Sequence, residues 1–149
     1  MPQGIQVECN RGVNGIEGSV SAAAGHAMAT PEKLHFLIIG DLSVFYDLNG
    51  LLMAQQCPNL RILLLNNQEG GIFGTLPGMP DCPQIRAPHG ESIMGWCGGN
   101  FRCRQVLIES HWEEALKVLL STEPEPVLVE LFTETRQDAA ILKDFYTNI

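Results

Sequence analysis

The sequence predicts an α/β fold, a three-layer α/β/α sandwich around a mostly parallel sheet of about six strands. Short apolar runs alternate with segments of helical period, which is typical of a parallel sheet covered by helices on both faces. The run at 34–39 is almost continuously apolar, which predicts a central strand buried on both sides. The length of 149 residues suits one domain with a single core. We therefore expect one domain over residues 1–149.

The other elements follow from the same alternation. Further strands are expected at 5–9, 60–65, 101–106 and 127–132, and helices at 19–29, 43–56, 91–97, 112–120 and 137–146. The segment 66–90 is rich in glycine and proline. A long irregular segment inside a compact domain is more often functional than idle. We interpret this segment as a ligand loop.

Composition excludes several classes of function. Asp and Glu outnumber Lys and Arg by 17 to 9, and the basic residues are scattered, so no positive stripe is available for nucleic acid. The five cysteines form no C-x-x-C pair, which favours reduced thiols. No apolar stretch approaches the roughly 20 residues of a membrane span, and the N-terminus lacks a signal pattern. These features predict a cytoplasmic protein with no membrane span and no nucleic-acid partner.

Three loops are the places to search for a ligand site. In an open parallel sheet, ligands bind beyond the carboxyl ends of the strands. The loops that follow the first three apolar runs are 10–18, 40–43 and 66–73, and each combines glycines with polar residues. The sequence therefore directs attention to these loops.

Asp41 and Asn67 suggest a metal site. A helix beginning near Gly40 would offer free N–H groups to a phosphate, but the carboxylate of Asp41 would repel a diphosphate unless a divalent cation lay between them. Mg²⁺ is the natural choice, and Asn67 after the next apolar run could supply a second oxygen. Taken alone, Asp41 would be interpreted as a helix N-cap, and it is the pairing with Asn67 that favours a metal.

The spacing of these residues resembles a motif of the thiamin diphosphate (ThDP) enzymes. Gly40-Asp41 is followed after 25 residues by Asn67, the second of two asparagines. Within that family, several segments are similar to the C-terminal, diphosphate-binding domain of the menaquinone-pathway synthases, which join 2-oxoglutarate to isochorismate. The similar segments are 10–12, 15–16, 18, 40–43, 46–49, 66–67, 70–73 and 76–77.

The resemblance implies a ThDP-binding fold and a role for each matching residue. The metal would be Mg²⁺, and its ligands would be the side chains of Asp41 and Asn67 and the carbonyl of Glu69. The turn of Gly40, Leu42 and Ser43 would hold the diphosphate. Gly15 would help to hold the pyrimidine, and Ile16 would impose the bend of the cofactor. Ile72, Phe73 and Leu76 would form an apolar wall around the reacting carbon. Arg11 would bind a substrate carboxylate.

The resemblance also implies partners. Such enzymes need a glutamate on a separate pyrimidine-binding domain, and their active site lies between two chains. We therefore expect this chain to be a fragment of a longer enzyme that forms a homo-oligomer. The isolated chain is expected to be inactive.

Several alternatives stay open. Arg11 could pair with Glu17 instead, and the apolar wall could be ordinary loop packing. His26, His89 and His111 have no partner at metal or triad spacing, so solvent exposure or helix packing is expected. The chain could belong to another ThDP decarboxylase or carboligase, or it could be a non-catalytic module. The last alternative is favoured by Glu69, which stands where the wider family more often has glycine.

Overall fold

The computed structural model describes residues 4–10, 12, 15–76, 78, 82–97, 103–106, 108–122 and 124–148. It contains four strands, seven α-helices and one 3₁₀ turn, Gly71–Gly74, within these ranges. The strands are β1 (His35–Gly40), β2 (Leu60–Asn66), β3 (Cys103–Val106) and β4 (Val127–Phe132). The helices are α1 (Ser19–Ala29), α2 (Asp41–Tyr46), α3 (Gly50–Ala54), α4 (Pro83–Arg86), α5 (Ile93–Cys97), α6 (Ile108–Leu119) and α7 (Thr135–Thr147).

The four described strands form one parallel sheet in the order β1-β2-β4-β3. In the register between β1 and β2, Gly40 lies opposite Leu65. The parallel α/β architecture is confirmed. The prediction of about six strands is not confirmed, because the described part of the chain contributes four.

Helices cover both faces of the sheet. On one face, α1 and α3 pack against Ile62 and Leu64 of β2 and Leu128 of β4. On the other face, Ala115 and Leu119 of α6 pack against the odd-numbered strand residues Leu63, Val127 and Val129. Alternate residues of each strand therefore enter opposite cores, and the three-layer arrangement is confirmed.

Among the described strands β1 lies at an edge of the sheet, and its predicted burial on both faces is wrong. Leu37 and Ile39 pack into the core beneath α1 and α3, whereas Phe36 and Ile38 are 52% and 68% exposed. The second core, under α6, contains residues of β2 and β4 but none of β1. An apolar run indicates a strand, but it does not reveal the position of that strand in the sheet.

The predicted first strand, at 5–9, is also wrong in this structure. Residues 5–10 form no strand, and Ile5 and Val7 are exposed. The segment contacts α1 instead, through an ion pair between Glu8 and His26 (3.3 Å) and a hydrogen bond from Asn10 to Ser19 (3.2 Å). Apolar alternation did not lead to a strand here, since no described strand pairs with this segment.

The helix predicted at 43–56 is two shorter helices, α2 and α3. Asp47 ends α2, and its carboxylate accepts hydrogen bonds from the N–H and hydroxyl groups of Ser21 at the start of α1 (2.6 and 2.7 Å). Gly50 begins α3 so close to α1 that a Cβ atom there would lie 2.8 Å from the Ser21 nitrogen. The helix is interrupted where Asp47 binds α1, so this carboxylate has a structural role.

The other predicted elements match except at their ends, whereas the 3₁₀ turn Gly71–Gly74 and α4 lie in the segment 66–90, where no element was predicted. Helix α1 and strand β4 have the predicted bounds, whereas α6 begins four residues before position 112 and α7 extends to Thr147. Residues 101 and 102 of the strand predicted at 101–106 lie outside the described residues. Within the described ranges, no helix has the length and apolar character that crossing a membrane requires.

Candidate functional site

The site is built where β1 and β2 end. Since Gly40 lies opposite Leu65 in parallel register, the chain leaves both strands at the same edge of the sheet. Asp41 follows β1 directly and Asn67 follows β2 directly. Asp41 is only 3% exposed. Topology therefore brings these two residues to neighbouring positions.

The carboxylate of Asp41 reaches across to the loop after β2. Its Oδ1 accepts the N–H of Leu42 (2.7 Å), and its Oδ2 accepts the N–H of Gln68 (2.7 Å). The N-cap residue of α2 is Gly40, and Asp41 is the first residue of the helix. The N-cap alternative for Asp41 is therefore wrong. Its side chain ties the two strand ends together instead.

The turn after β2 is shaped by its two asparagines. Asn66 Oδ1 accepts the N–H of Gln68 (3.0 Å), and Asn67 Oδ1 accepts the N–H of Glu69 (3.2 Å). Gln68 has φ 64°, a left-handed conformation that non-glycine residues rarely adopt. A Cβ atom at Gly71 would lie 2.4 Å from Asn67 Nδ2. Because Gly71 has no Cβ atom, the Asn67 amide can occupy this space.

Glu69 turns its side chain away to Arg86. Its two carboxylate oxygens lie 3.3 and 3.2 Å from Arg86 Nη1, while its carbonyl accepts the N–H of Gly71 (3.0 Å). Glu69 is not among the described residues with positive φ, so the backbone at this point does not require glycine. The carbonyl is the only part of Glu69 to which the resemblance assigned a role.

His89 is a site residue that the sequence analysis missed. Its Nε2 lies 3.1 Å from Asp41 Oδ2, so the expectation of exposure or simple packing was wrong for this histidine. The contact spans 48 residues of sequence, and no spacing rule would have found it. The one available signal was its place in the glycine-rich and proline-rich segment 66–90. His26 pairs with Glu8 at the surface, and the side chain of His111 lies outside what the structure describes.

The fully buried Glu130 forms hydrogen bonds that hold the turn after β2 in place. Glu130 of β4 accepts hydrogen bonds from Asn66 Nδ2 (2.7 Å) and Ile93 N–H (3.0 Å) on Oε1, and from Ser92 Oγ (2.6 Å) on Oε2. Asn66 Nδ2 also donates to the Glu91 carbonyl (2.9 Å). Glu130 therefore joins β2, β4 and the start of α5. The sequence analysis missed it because it lies within an apolar run.

The other predicted site residues are distributed over the three loops. Leu42 and Ser43 are half-buried at the start of α2, and Gly40 before them is exposed. Ile72 and Leu76 are 58% and 43% exposed in and just after the 3₁₀ turn, while Phe73 is half-buried. These six positions and Asn67 lie at or after the carboxyl ends of β1 and β2.

The glycine-rich loop before α1 carries the remaining residues. Gly15 is half-buried, and Ile16 is 39% exposed. Ile16 donates its N–H to the Glu17 carboxylate (2.9 Å). Arg11 lies outside the described residues. The structure therefore leaves its predicted role untested.

The oxygen donors at this edge suit a hard cation. A buried carboxylate, a carboxamide and a backbone carbonyl are the kinds of ligand that Mg²⁺ accepts alongside phosphate oxygens and water. In the part of the chain that the structure describes, no group of three or more His, Cys, Asp and Glu side chains is arranged to hold a metal ion. A metal held by Asp41 would thus use amide and carbonyl oxygens as well.

Three cysteines have side chains that the structure describes, and all three are free thiols. Cys57 is buried and donates its thiol toward the carbonyls of Ala24 and Met53 (3.6 and 3.5 Å). Burial raises the pKa of the Cys57 thiol, which favours its neutral form. The other two free thiols are Cys9 and Cys82.

Comparison with known proteins identifies the fold family. No protein-family model matches the chain. It is 48% identical to the 2-succinyl-5-enolpyruvyl-6-hydroxy-3-cyclohexene-1-carboxylate synthase of Bacteroides thetaiotaomicron, over 98% of the chain and 27% of that protein. Identity to the synthase of the same name from Christiangramia forsetii is 33%, over 95% of the chain and 25% of that protein.

A similar solved structure is also that of a thiamine diphosphate-dependent enzyme. The thiamine diphosphate-dependent 4-hydroxybenzoylformate decarboxylase of Rhodococcus jostii RHA1 superposes with a TM-score of 0.61 at 25% identity, over 76% of the chain and 22% of that structure. The chain spans about a quarter of the length of the curated relatives it matches. Sequence and fold together place the chain in the thiamin diphosphate-dependent enzyme family, as the counterpart of about a quarter of a 2-succinyl-5-enolpyruvyl-6-hydroxy-3-cyclohexene-1-carboxylate synthase.

Proposed function

We propose that this chain supplies the metal-binding and diphosphate-binding part of a ThDP-dependent and Mg²⁺-dependent transferase. The complete reaction is the decarboxylation of 2-oxoglutarate and its joining to isochorismate in menaquinone biosynthesis. The observation that carries the proposal is the buried carboxylate of Asp41, fixed to Gln68 beside Asn67 at the carboxyl edge of the sheet. The 48% identity to a synthase of this activity supports the substrate assignment.

The metal is assigned to Asp41, Asn67 and the carbonyl of Glu69. An ionised carboxylate has about four lone-pair positions on its two oxygens. Asp41 therefore keeps capacity for a cation after accepting its protein donors. A divalent cation here would offset the repulsion between this carboxylate and a diphosphate. The pairing of Glu69 with Arg86 does not involve the carbonyl.

The cofactor contacts are assigned to the loops on the same edge. Gly40, Leu42 and Ser43 would hold the diphosphate, and Gly15 and Ile16 would hold the pyrimidine end. When bound, ThDP supplies the nucleophilic carbon that a 2-oxo acid requires for decarboxylation. The protein's task is to bind it, orient it and keep water away.

The residues nearest the chemistry are Ile72, Phe73 and Leu76. Ile72 and Leu76 are apolar but largely exposed in this chain, as expected of side chains that face a cofactor or another domain. Excluding water there would strengthen electrostatic interactions around the reacting carbon. Arg11 is assigned to a substrate carboxylate, since a guanidinium binds carboxylates with two parallel hydrogen bonds.

We also propose that the chain works with a pyrimidine-binding domain of the same enzyme and in a homo-oligomer. The fraction of each relative that it matches supports the additional domain, because most of the relative's length lies outside the match. A glutamate of the pyrimidine domain would drive proton transfer on the cofactor. General acid–base assistance of this kind typically contributes about 10²- to 10⁴-fold. The chain by itself is therefore expected to be inactive.

A second candidate is a different ThDP decarboxylase, favoured by the similarity to the Rhodococcus enzyme. This candidate has less support, because the chain is 25% identical to the Rhodococcus enzyme and 48% identical to the Bacteroides synthase. A non-catalytic module has less support, because Glu69 needs no glycine-like conformation and its carbonyl remains in place.

A chimera tests the proposal. The segment of the Bacteroides thetaiotaomicron synthase that matches this chain is replaced by the chain, and carbon dioxide release is measured with ThDP and Mg²⁺. We expect release from 2-oxoglutarate that depends on isochorismate, and its loss in the Asp41→Ala chimera. Asp144→Ala, in the exposed helix α7, is the matched control and should retain activity. Release only from 4-hydroxybenzoylformate would favour the second candidate, and a folded chimera inactive on both substrates would contradict the proposal.

A further inference from the structure

We infer that His89 is a positioning residue, which holds the carboxylate of Asp41 in the orientation that binds the cation. The inference rests on the proposed function and deepens it. The observation behind it is the 3.1 Å contact from His89 Nε2 to Asp41 Oδ2 between two largely buried side chains.

Hydrogen bonds define which ring nitrogen carries the proton. His89 Nδ1 accepts the N–H of Glu91 (2.9 Å), so the neutral ring has its proton on Nε2. Nε2–H then donates to Asp41. The ring therefore offers the carboxylate a donor, and it could not act there as an acceptor.

Backbone hydrogen bonds connect His89 to Asp41 by a second route, through Gln68. His89 N–H donates to the Gln68 carbonyl (3.0 Å), and Gln68 N–H donates to Asp41 Oδ2 (2.7 Å). Gly70 N–H also donates to the Arg86 carbonyl (2.6 Å), which joins the turn after β2 to the end of α4. Movement of His89 would therefore disturb the turn that carries Asn67.

The imidazole is also oriented by packing. Phe45 lies in α2, the helix that Asp41 begins, and its ring meets His89 edge-on with centroids 5.1 Å apart and an interplanar angle of 76°. Asp41 and the ring that bonds it are thus both held by α2. Such an arrangement fixes the donor before any ligand arrives.

The two oxygens of Asp41 consequently have different roles. Oδ2 accepts two donors, Gln68 N–H and His89 Nε2–H, whereas Oδ1 accepts the N–H of its own neighbour Leu42. Oδ2 is the anchored oxygen, and Oδ1 is the oxygen we assign to the cation. Hydrogen-bond partners of metal ligands commonly tune metal affinity by orienting the ligand and adjusting its basicity.

The test measures metal affinity without turnover. Mn²⁺ replaces Mg²⁺, ThDP is saturating, and free Mn²⁺ is followed by electron paramagnetic resonance on the full chain. His89→Leu is expected to raise the apparent Kd for Mn²⁺ by about 10- to 100-fold. His89→Gln keeps an N–H donor and should restore most of that affinity. His26→Leu, which alters an exposed histidine paired with Glu8, is the matched control and should match the unaltered chain.

The outcomes separate this inference from the proposed function. If Asp41→Asn loses Mn²⁺ while folded His89→Leu binds it as tightly as the unaltered chain, His89 has no positioning role and the metal site stands. If Asp41→Asn retains full affinity, the metal site itself is wrong. Thermal unfolding reports whether each variant folds. Should His89→Leu not fold, His89→Gln decides, since folded protein with near-normal affinity supports the hydrogen bond and a large loss of affinity contradicts it.

Discussion

Replacing Asp41 by asparagine is expected to abolish the Mg²⁺-dependent binding of ThDP to this chain. Asparagine retains an oxygen that can accept the N–H of Gln68, so the turn after β2 is kept while the only charged ligand of the proposed metal is lost. Loss of a hydrogen-bond partner of a metal ligand typically costs about 10- to 100-fold in affinity, and loss of the charged ligand itself should cost at least as much. Isothermal titration calorimetry with ThDP, in Mg²⁺ and in chelator, measures the effect.

The control for this variant is Asp47→Asn, which changes a half-buried carboxylate that bonds Ser21. It should alter stability but keep the dependence of ThDP binding on Mg²⁺. Equal binding by Asp41→Asn and the unaltered chain would contradict the role assigned to Asp41, as would binding that chelator leaves unchanged.

Replacing Glu130 by leucine is expected to destabilise the fold by about 3–5 kcal/mol. The loss is this large because several buried donors lose their acceptor together, at about 1–3 kcal/mol for each group left unsatisfied. Here those groups are the Asn66 amide, the Ile93 N–H and the Ser92 hydroxyl. The shift in the urea midpoint, at unchanged slope, gives the free energy.

Two further variants calibrate that loss. Glu130→Gln keeps one acceptor oxygen and should cost less than the leucine variant. Glu113→Leu, at an exposed position of α6, should change stability by no more than about 0.5 kcal/mol. A cost below about 1 kcal/mol for Glu130→Leu, the usual value of a single hydrogen bond, would show that the buried network contributes little.

Local signals in the sequence were sufficient for part of the fold. Helix α1 begins after Gly18 and ends at Thr30, before Pro31, as predicted. The apolar run of β4, which is followed by polar residues, was an equally clear signal for a strand. Because β1 and β2 were recognised as parallel neighbours, the proximity of Asp41 and Asn67 at one edge could be predicted as well.

Long-range features were beyond the sequence. The exposure of Phe36 depends on β1 lying at the edge of the sheet, which the apolar run does not encode. The bond from Asn66 to Glu130 spans 64 residues, and the contact of His89 with Asp41 spans 48. Such pairs have no periodicity, so only the folded chain brings them together.

The most direct test of the central claim is a crystal structure of the chain grown with ThDP and Mg²⁺. The account predicts one Mg²⁺ ion between Asp41 and Asn67, about 2.0–2.1 Å from a side-chain oxygen of each, from the Glu69 carbonyl and from diphosphate oxygens. A diphosphate bound elsewhere, or bound at this edge with neither Asp41 nor Asn67 contacting the metal, would contradict it.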